Sequence, residues 1–116
     1  MSSPHSALVP VFAALGDPTR LSLMIKLSGG GRRGRSIASL AAGSGLTRQA
    51  VTKHLRQLQL AGLVDEARVG RERRFTLRPV ELVAAGEFLD GVSAQWDVAL
   101  ERLRARLEQA NVLDMF

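Results

Sequence analysis

The 116-residue chain contains no cysteine. That excludes a disulfide framework and a thiolate metal site. Histidine is nearly absent too: His5 and His54 are the two, and none follows residue 54. No second imidazole therefore lies within helical reach of His54, which reads as structural or phosphate-contacting and not as a metal ligand or base. No apolar run approaches the ~18–20 residues that cross a bilayer. Residues 1–7 carry no Lys or Arg, and the apolar stretch beyond them ends at Gly16-Asp17-Pro18, so a signal peptide is not expected and the expected compartment is the cytoplasm. Ser22, Ser36 and Ser39 lack the His and carboxylate partners of an activated nucleophile. The glycine-rich residues 29–34 lack the Gly-Lys-Ser/Thr ending of a phosphate loop. The expectation is a protein that is not an enzyme, needs no cofactor and holds no metal.

What is present is positive charge, unevenly spread. The net charge is +5, but residues 47–78 alone hold eight basic and three acidic side chains. Residues 79–116 hold three basic and seven acidic. A polyanion is drawn to the middle of this chain and repelled by its end. A chain of this length is expected to be one domain, small enough for a partner chain to add stability.

The basic segment coincides with a pattern. In residues 46–64, LTRQAVTKHLRQLQLAGLV, Val51, Leu55 and Leu58 recur at steps of four and three and mark one buried helical face. Thr47 is a good N-cap, and Gly62 is suited to the left-handed position that ends a helix. Upstream, Ile37, Leu40 and small Ala41 suggest a short support helix, with Gly45 in the turn. A support helix, a glycine turn and a second helix is helix-turn-helix logic, with residues 47–61 placed for a major groove. Arg48 and Gln49 suit guanine and adenine edges, and Thr52 a thymine methyl or a phosphate. Arg48 and Lys53 equally suit backbone contacts alone.

The remaining elements follow from spacing. Residues 1–6 are expected to lack regular structure. Leu8, Val11, Phe12 and Leu15 form one stripe of a short helix, with Pro10 in its first turn. Asp17 caps the next helix and Pro18 occupies N1; its expected stripe is Leu21, Met24, Ile25 and Ser28, with Leu23 and Leu27 flanking. Residues 29–35 read as a mobile basic linker. Phe75 and Leu77 alternate with Arg74, Thr76 and Arg78, predicting a strand paired with residues 63–68. That hairpin is basic and must lean on the helices, which makes it a wing whose residues 68–74 follow the backbone or minor groove. Pro79 opens a long last helix to about residue 108. Its Leu89, Val92, Trp96, Leu100, Leu103 and Leu107 form a seam expected to pack against another subunit, the alternative being that it folds back on the chain's own first helix. Glu101, Arg104 and Glu108 read as solvated helix pairs. Whether residues 79–108 break near Gly86 stays open at this point.

Three segments resemble the ArsR/SmtB-type winged-helix repressors of bacteria. They are Ala14-Leu15-Gly16-Asp17-Pro18-Thr19-Arg20-Leu21, residues 46–64, and Gly70-Arg71 with Phe75-Thr76-Leu77. The resemblance implies a mostly α winged helix-turn-helix with a small β-hairpin, dimerising through its first and last helices. It implies a homodimeric repressor on an inverted repeat of double-stranded DNA. The expected DNA-binding residues are Thr47, Arg48, Gln49, Thr52, Lys53, His54 and Arg56 on the helix and Arg68, Arg71, Arg73 and Arg74 on the wing. The expected dimer contacts are Leu8, Val11, Phe12, Leu89, Val92, Trp96, Leu100 and Leu103. Many members bind metal through cysteines on the support helix or through His and carboxylates on the last one. This chain lacks those residues, so metal sensing does not carry over, and any small-molecule effector is unknown. The competing reading is a winged-helix protein-interaction module that no longer binds DNA.

Overall fold

A computed structural model describes residues 5–114, with side chains through residue 110. The chain divides into two compact units, residues 1–85 and 86–116. The expectation for residues 1–4 lies outside the described residues; Ser6, also expected to be irregular, begins a 3-10 turn that ends at Leu8.

In the first unit, α1 (Val9–Leu15) carries Pro10 in its first turn and stops at Gly16. The next helix, α2 (Pro18–Ser28), starts as its sequence requires: Asp17 accepts a 2.9 Å bond from the Arg20 amide, and Pro18 leads the helix. Arg20 Nε reaches back to the Ala14 carbonyl at 2.7 Å and ties the two helices at their elbow. The face that α2 buries differs from the expected stripe. Leu23, Met24 and Leu27 are buried, whereas Leu21 and Ile25 are 47% and 67% exposed. Helix α2 is apolar over more than half its circumference, wider than any one neighbour covers, so packing selects which part is buried.

Short α3 (Ile37–Ala41) is capped by Ser36, which accepts from the Ser39 amide at 3.1 Å. The turn that follows is stitched by Ser44, whose hydroxyl donates to the Ala41 carbonyl (2.7 Å) and accepts from the Leu46 amide (3.1 Å). Then α4 (Arg48–Leu60) begins under the Thr47 cap, 3.1 Å from the Ala50 amide. Val51, Leu55 and Leu58 are fully buried, as their spacing predicts. Gly62, at φ +79°, closes the helix: its amide bonds the Gln59 carbonyl at 2.9 Å, and the Leu63 amide bonds that of Leu58 at 3.0 Å. Residue 63 thereby leaves the helix end in a fixed direction and enters the hairpin.

The hairpin is β2 (Val64–Val69) and β3 (Glu72–Leu77), joined by Gly70-Arg71. Strand β2 is as long as expected but begins one residue later, and the sheet has a third strand, β1 (Arg35–Ser36), on the other side of β3, giving the antiparallel order β1-β3-β2. Residues 29–35 are therefore not a free linker. Gly34 lies so close to β3 that a Cβ there would come 2.2 Å from the Phe75 carbonyl oxygen. Arg35 donates to the Lys26 carbonyl at 2.8 Å, and Arg74 to the carbonyls of Arg33 (2.8 Å) and Gly34 (3.1 Å). Phe75, Leu27, Leu40, Leu55, Leu58, Leu63, Val11 and Val51 form the fully buried centre, each worth ~1.5–3 kcal/mol of apolar burial.

Pro79 starts α5 (Pro79–Asp114), one uninterrupted 36-residue helix, about 54 Å long at 1.5 Å per residue. Gly86 and Gly91 do not break it. Its start belongs to the first unit, where Ala85 is buried. In the second unit Leu89, Trp96, Leu100, Leu103 and Leu107 are all more than half exposed, Trp96 at 64%, and Val92 is half-buried. Arg104 pairs with Glu101 and Glu108 at 3.8 Å each, the expected surface pairs.

Candidate nucleic-acid interface

Burying Val51, Leu55 and Leu58 leaves Arg48, Gln49 and Lys53 on the exposed side of α4, with Thr52 half-buried among them. The Thr52 hydroxyl donates to the Arg48 carbonyl at 2.7 Å. Its proton is thus engaged within the helix, and what Thr52 offers a ligand is a methyl group and an acceptor. Sheet register aims the wing. Glu66 opposes Phe75 and Arg68 opposes Arg73, so these side chains share the face that also carries core residue Phe75. Toward the turn this face changes from apolar to cationic and overhangs the start of α4.

Between α4 and the wing lies an open cleft of about 940 Å³. Thr47, Arg48, Gln49, Thr52 and Lys53 line one wall, and Arg68, Arg71 and Arg73 another. Arg48, Lys53, Arg68 and Arg71 have no acidic partner within ion-pair distance among the described residues. Glu72 also lines the cleft but is paired with Arg74 at 2.7 Å, so the unpaired charge there is cationic and favours a bound anion.

Three expected contacts lie elsewhere. The His54 ring faces inward, its Nδ1 3.4 Å from Arg20 Nη1 and 3.9 Å from an Asp17 carboxylate oxygen. It buttresses α4 against the α1–α2 elbow and does not line the cleft. Asp17 is held below the usual carboxylate range, chiefly by the Arg20 amide, with the Arg20 and His54 charges adding to it. Arg74 ties residues 33 and 34 to the sheet and pairs with Glu72 at 2.7 Å. Arg56 is exposed outside the cleft, near enough to Glu66 to help lower its pKa. Arg73 does line the cleft, but its guanidinium bonds Glu66 and stacks 5.7 Å from the Phe75 ring centre.

The third wall of the cleft was not expected from the sequence. Ser36, Ile37 and Ala38, at the start of α3, complete it. They stand there because β1 pairs Ser36 with Arg74, and a two-residue strand leaves no periodic signal.

A helix-turn-helix domain family matches residues 15–67, the segment from the end of α1 to β2. The regulator CmtR, described as an HTH-type transcriptional regulator in Mycobacterium bovis and Mycobacterium tuberculosis, is 39% identical over 91 residues, covering 78% of this chain and 75% of the relative. An ArsR-like transcriptional regulator from Rhodococcus sp. RHA1 is also 39% identical, with a TM-score of 0.68 over 85% of this chain and 91% of that one.

The chain belongs to the ArsR/SmtB-type family of winged helix-turn-helix transcriptional regulators.

Two further solved structures set the family member in context. The M. tuberculosis CmtR structure, described as a cadmium metal-sensor, is 38% identical, with a TM-score of 0.52 over 61% of this chain and 70% of that one. The homodimeric winged helix-turn-helix domain Mb0332 of M. bovis shares the fold at 24% identity, with a TM-score of 0.61 over 84% of this chain and 91% of that one. Cadmium, a soft cation, selects thiolate ligands. This family member has none, and its described residues contain no group of three or more His, Asp or Glu able to hold an ion.

Proposed function

We propose that this regulator is a dimeric repressor that binds an inverted-repeat operator. Helix α4 enters the major groove, where Arg48 and Gln49 meet base edges and Thr52 and Lys53 meet a methyl group or the backbone. Arg68 and Arg71 take phosphates or the adjacent minor groove. The observation that carries this reading is the cleft, in which four cations without acidic partners meet the polar face of the helix-turn-helix. His54 and Arg74 stabilise this arrangement, Arg56 lies outside the cleft, and none of the three is carried into it as a contact.

The exposed apolar stripe of α5, centred on Trp96, supports pairing of two copies, since a solvated seam of that length loses stabilisation that a partner helix restores. The homodimeric assembly described for Mb0332 points the same way. A two-fold dimer spaces two α4 helices about one DNA turn apart, ~34 Å. In the N-terminal helix region, Leu8 and Val11 are already buried in their own unit, whereas Val9 is exposed and can meet a partner there. Cadmium sensing is not part of the proposal, for want of thiolates.

Genomic fragments retained by the immobilised protein test the proposal. Retained fragments should share an inverted repeat with half-sites about one turn apart, and a reporter placed downstream of it should be silenced in cells that carry the protein. Retention without a common sequence refutes specific binding, and an activated reporter refutes repression.

A further inference from the structure

Arg68 and Arg73 stand directly opposite each other on β2 and β3. Like charges at that position destabilise a two-stranded ribbon. Glu66 is their neighbour on the same face, one step back from the turn. Its carboxylate accepts from Arg73 Nε with one oxygen and from Gln59 Nε2, at 3.1 Å, with the other. Gln59 is in the last turn of α4. One carboxylate therefore bonds the end of the groove helix and a residue of the opposite strand, while its own backbone is in β2. Arg73 is further held over the ring of fully buried Phe75. Arg68, by contrast, has no acidic partner within ion-pair distance among the described residues and is exposed in the cleft. Glu66 also sits below the usual carboxylate range, the Arg73 hydrogen bond being the main cause.

Resting on the reading of the cleft as a DNA interface, we propose that Glu66 is a positioning residue: it clamps the wing to the end of α4 through Gln59 and Arg73, and Arg73 stays on Glu66 when DNA is bound. The wing then approaches the backbone as a rigid arm. Arg68 and Arg71 make its contacts, and Arg73 sets the angle at which they arrive. Two opposed arginines thus have different tasks, assigned by the Glu66 carboxylate that bonds Arg73.

The test uses the 15N-labelled full chain and a duplex selected from random-sequence DNA by the wild-type protein. The Arg73 Nε–H resonance should be protected from exchange in the free protein, unchanged at saturation with the duplex, and lost from its position in Glu66→Ala. Glu66→Ala and Arg73→Gln should each weaken duplex binding about fivefold, and the double variant no further than either alone, because both remove one clamp. The salt dependence of binding should keep its wild-type slope in all three. The proposal is overturned if Glu66→Ala binds more tightly with a slope steeper by about 1.8, about 0.9 for the Arg73 that each protomer of the dimer releases onto a phosphate. It is equally overturned by unchanged affinity in Glu66→Ala, or by an Arg73 signal that shifts on DNA addition or ignores the loss of Glu66. A wild-type protein that selected no duplex would refute the DNA-binding reading, while the free-protein resonance in wild type and Glu66→Ala would still decide the clamp.

Discussion

Replacing Gly34 with alanine should be the most damaging single-methyl change in the first unit. Gly34 has φ +67° and ψ −159°, a region that residues with a Cβ rarely occupy, and holding alanine there costs ~1–3 kcal/mol. The new Cβ would also lie 2.2 Å from the Phe75 carbonyl oxygen and 2.7 Å from Thr76 Cγ2. Neither the carbonyl nor the strand can yield, because Phe75 pairs with Arg35 on one side and Glu66 on the other. The overlap is relieved only by moving β1 off β3, at ~1 kcal/mol for each hydrogen bond lost. The sum is about 3–5 kcal/mol, a large part of the ~5–15 kcal/mol that holds a domain together. At roughly 4 °C per kcal/mol this lowers Tm by ~12–20 °C. Gly31→Ala is the control: φ is +59° there, but no atom lies within 4 Å of the added Cβ. It should lose only ~1–2 kcal/mol of backbone preference. Urea unfolding followed by circular dichroism measures both. Equal losses at the two sites would refute the close approach of residue 34 to the sheet, and with it the placement of Ser36–Ala38 in the cleft wall.

Arg48→Ala should weaken operator binding by ~1–3 kcal/mol and relax preference at one base pair; an equal loss on random duplexes would assign Arg48 to the backbone instead. Trp96→Ala should shift the sedimentation of the protein toward the monomer in a concentration-dependent way, and an unchanged mass would remove Trp96 from the dimer seam. Asp17 carries the acid-side prediction. Its folded pKa is depressed below the ordinary aspartate value of 3.8, so the stability it adds is complete above that value and is lost as pH falls through the folded pKa. The stability gap between wild type and Asp17→Ala should therefore be constant at neutral pH and close below about pH 4; a gap that persisted at pH 2 would show that the carboxylate charge is not what the Arg20 amide holds.

The helix-turn-helix was legible because several local signals agree there. Thr47, the Val51-Leu55-Leu58 stripe and Gly62 each specify the same helix, and each does in the structure what its chemistry predicts. The wing was legible in outline from the alternation around Phe75. What escaped were features set by tertiary contact. Strand β1 is two residues long and follows a glycine run that reads as a linker, and only its closeness to Phe75 makes Gly34 structural. The apolar surface of helix α2 spans more than one face, so choosing Leu23 and Leu27 over Leu21 and Ile25 needed the packing partners. His54 and Arg74 look like DNA contacts by charge and position, yet Asp17, Glu72 and two backbone carbonyls claim them from other parts of the chain. Composition shows that cations are plentiful in residues 47–78; the acids within reach decide which of them stay available.

The salt dependence of binding to the selected duplex tests the central claim most directly. Four unpaired cations per protomer, with or without Arg48 among the phosphate contacts, predict that log K falls with log salt at a slope of about −5 to −7 for a dimer. A slope near zero on that duplex would contradict an interface built from these cations.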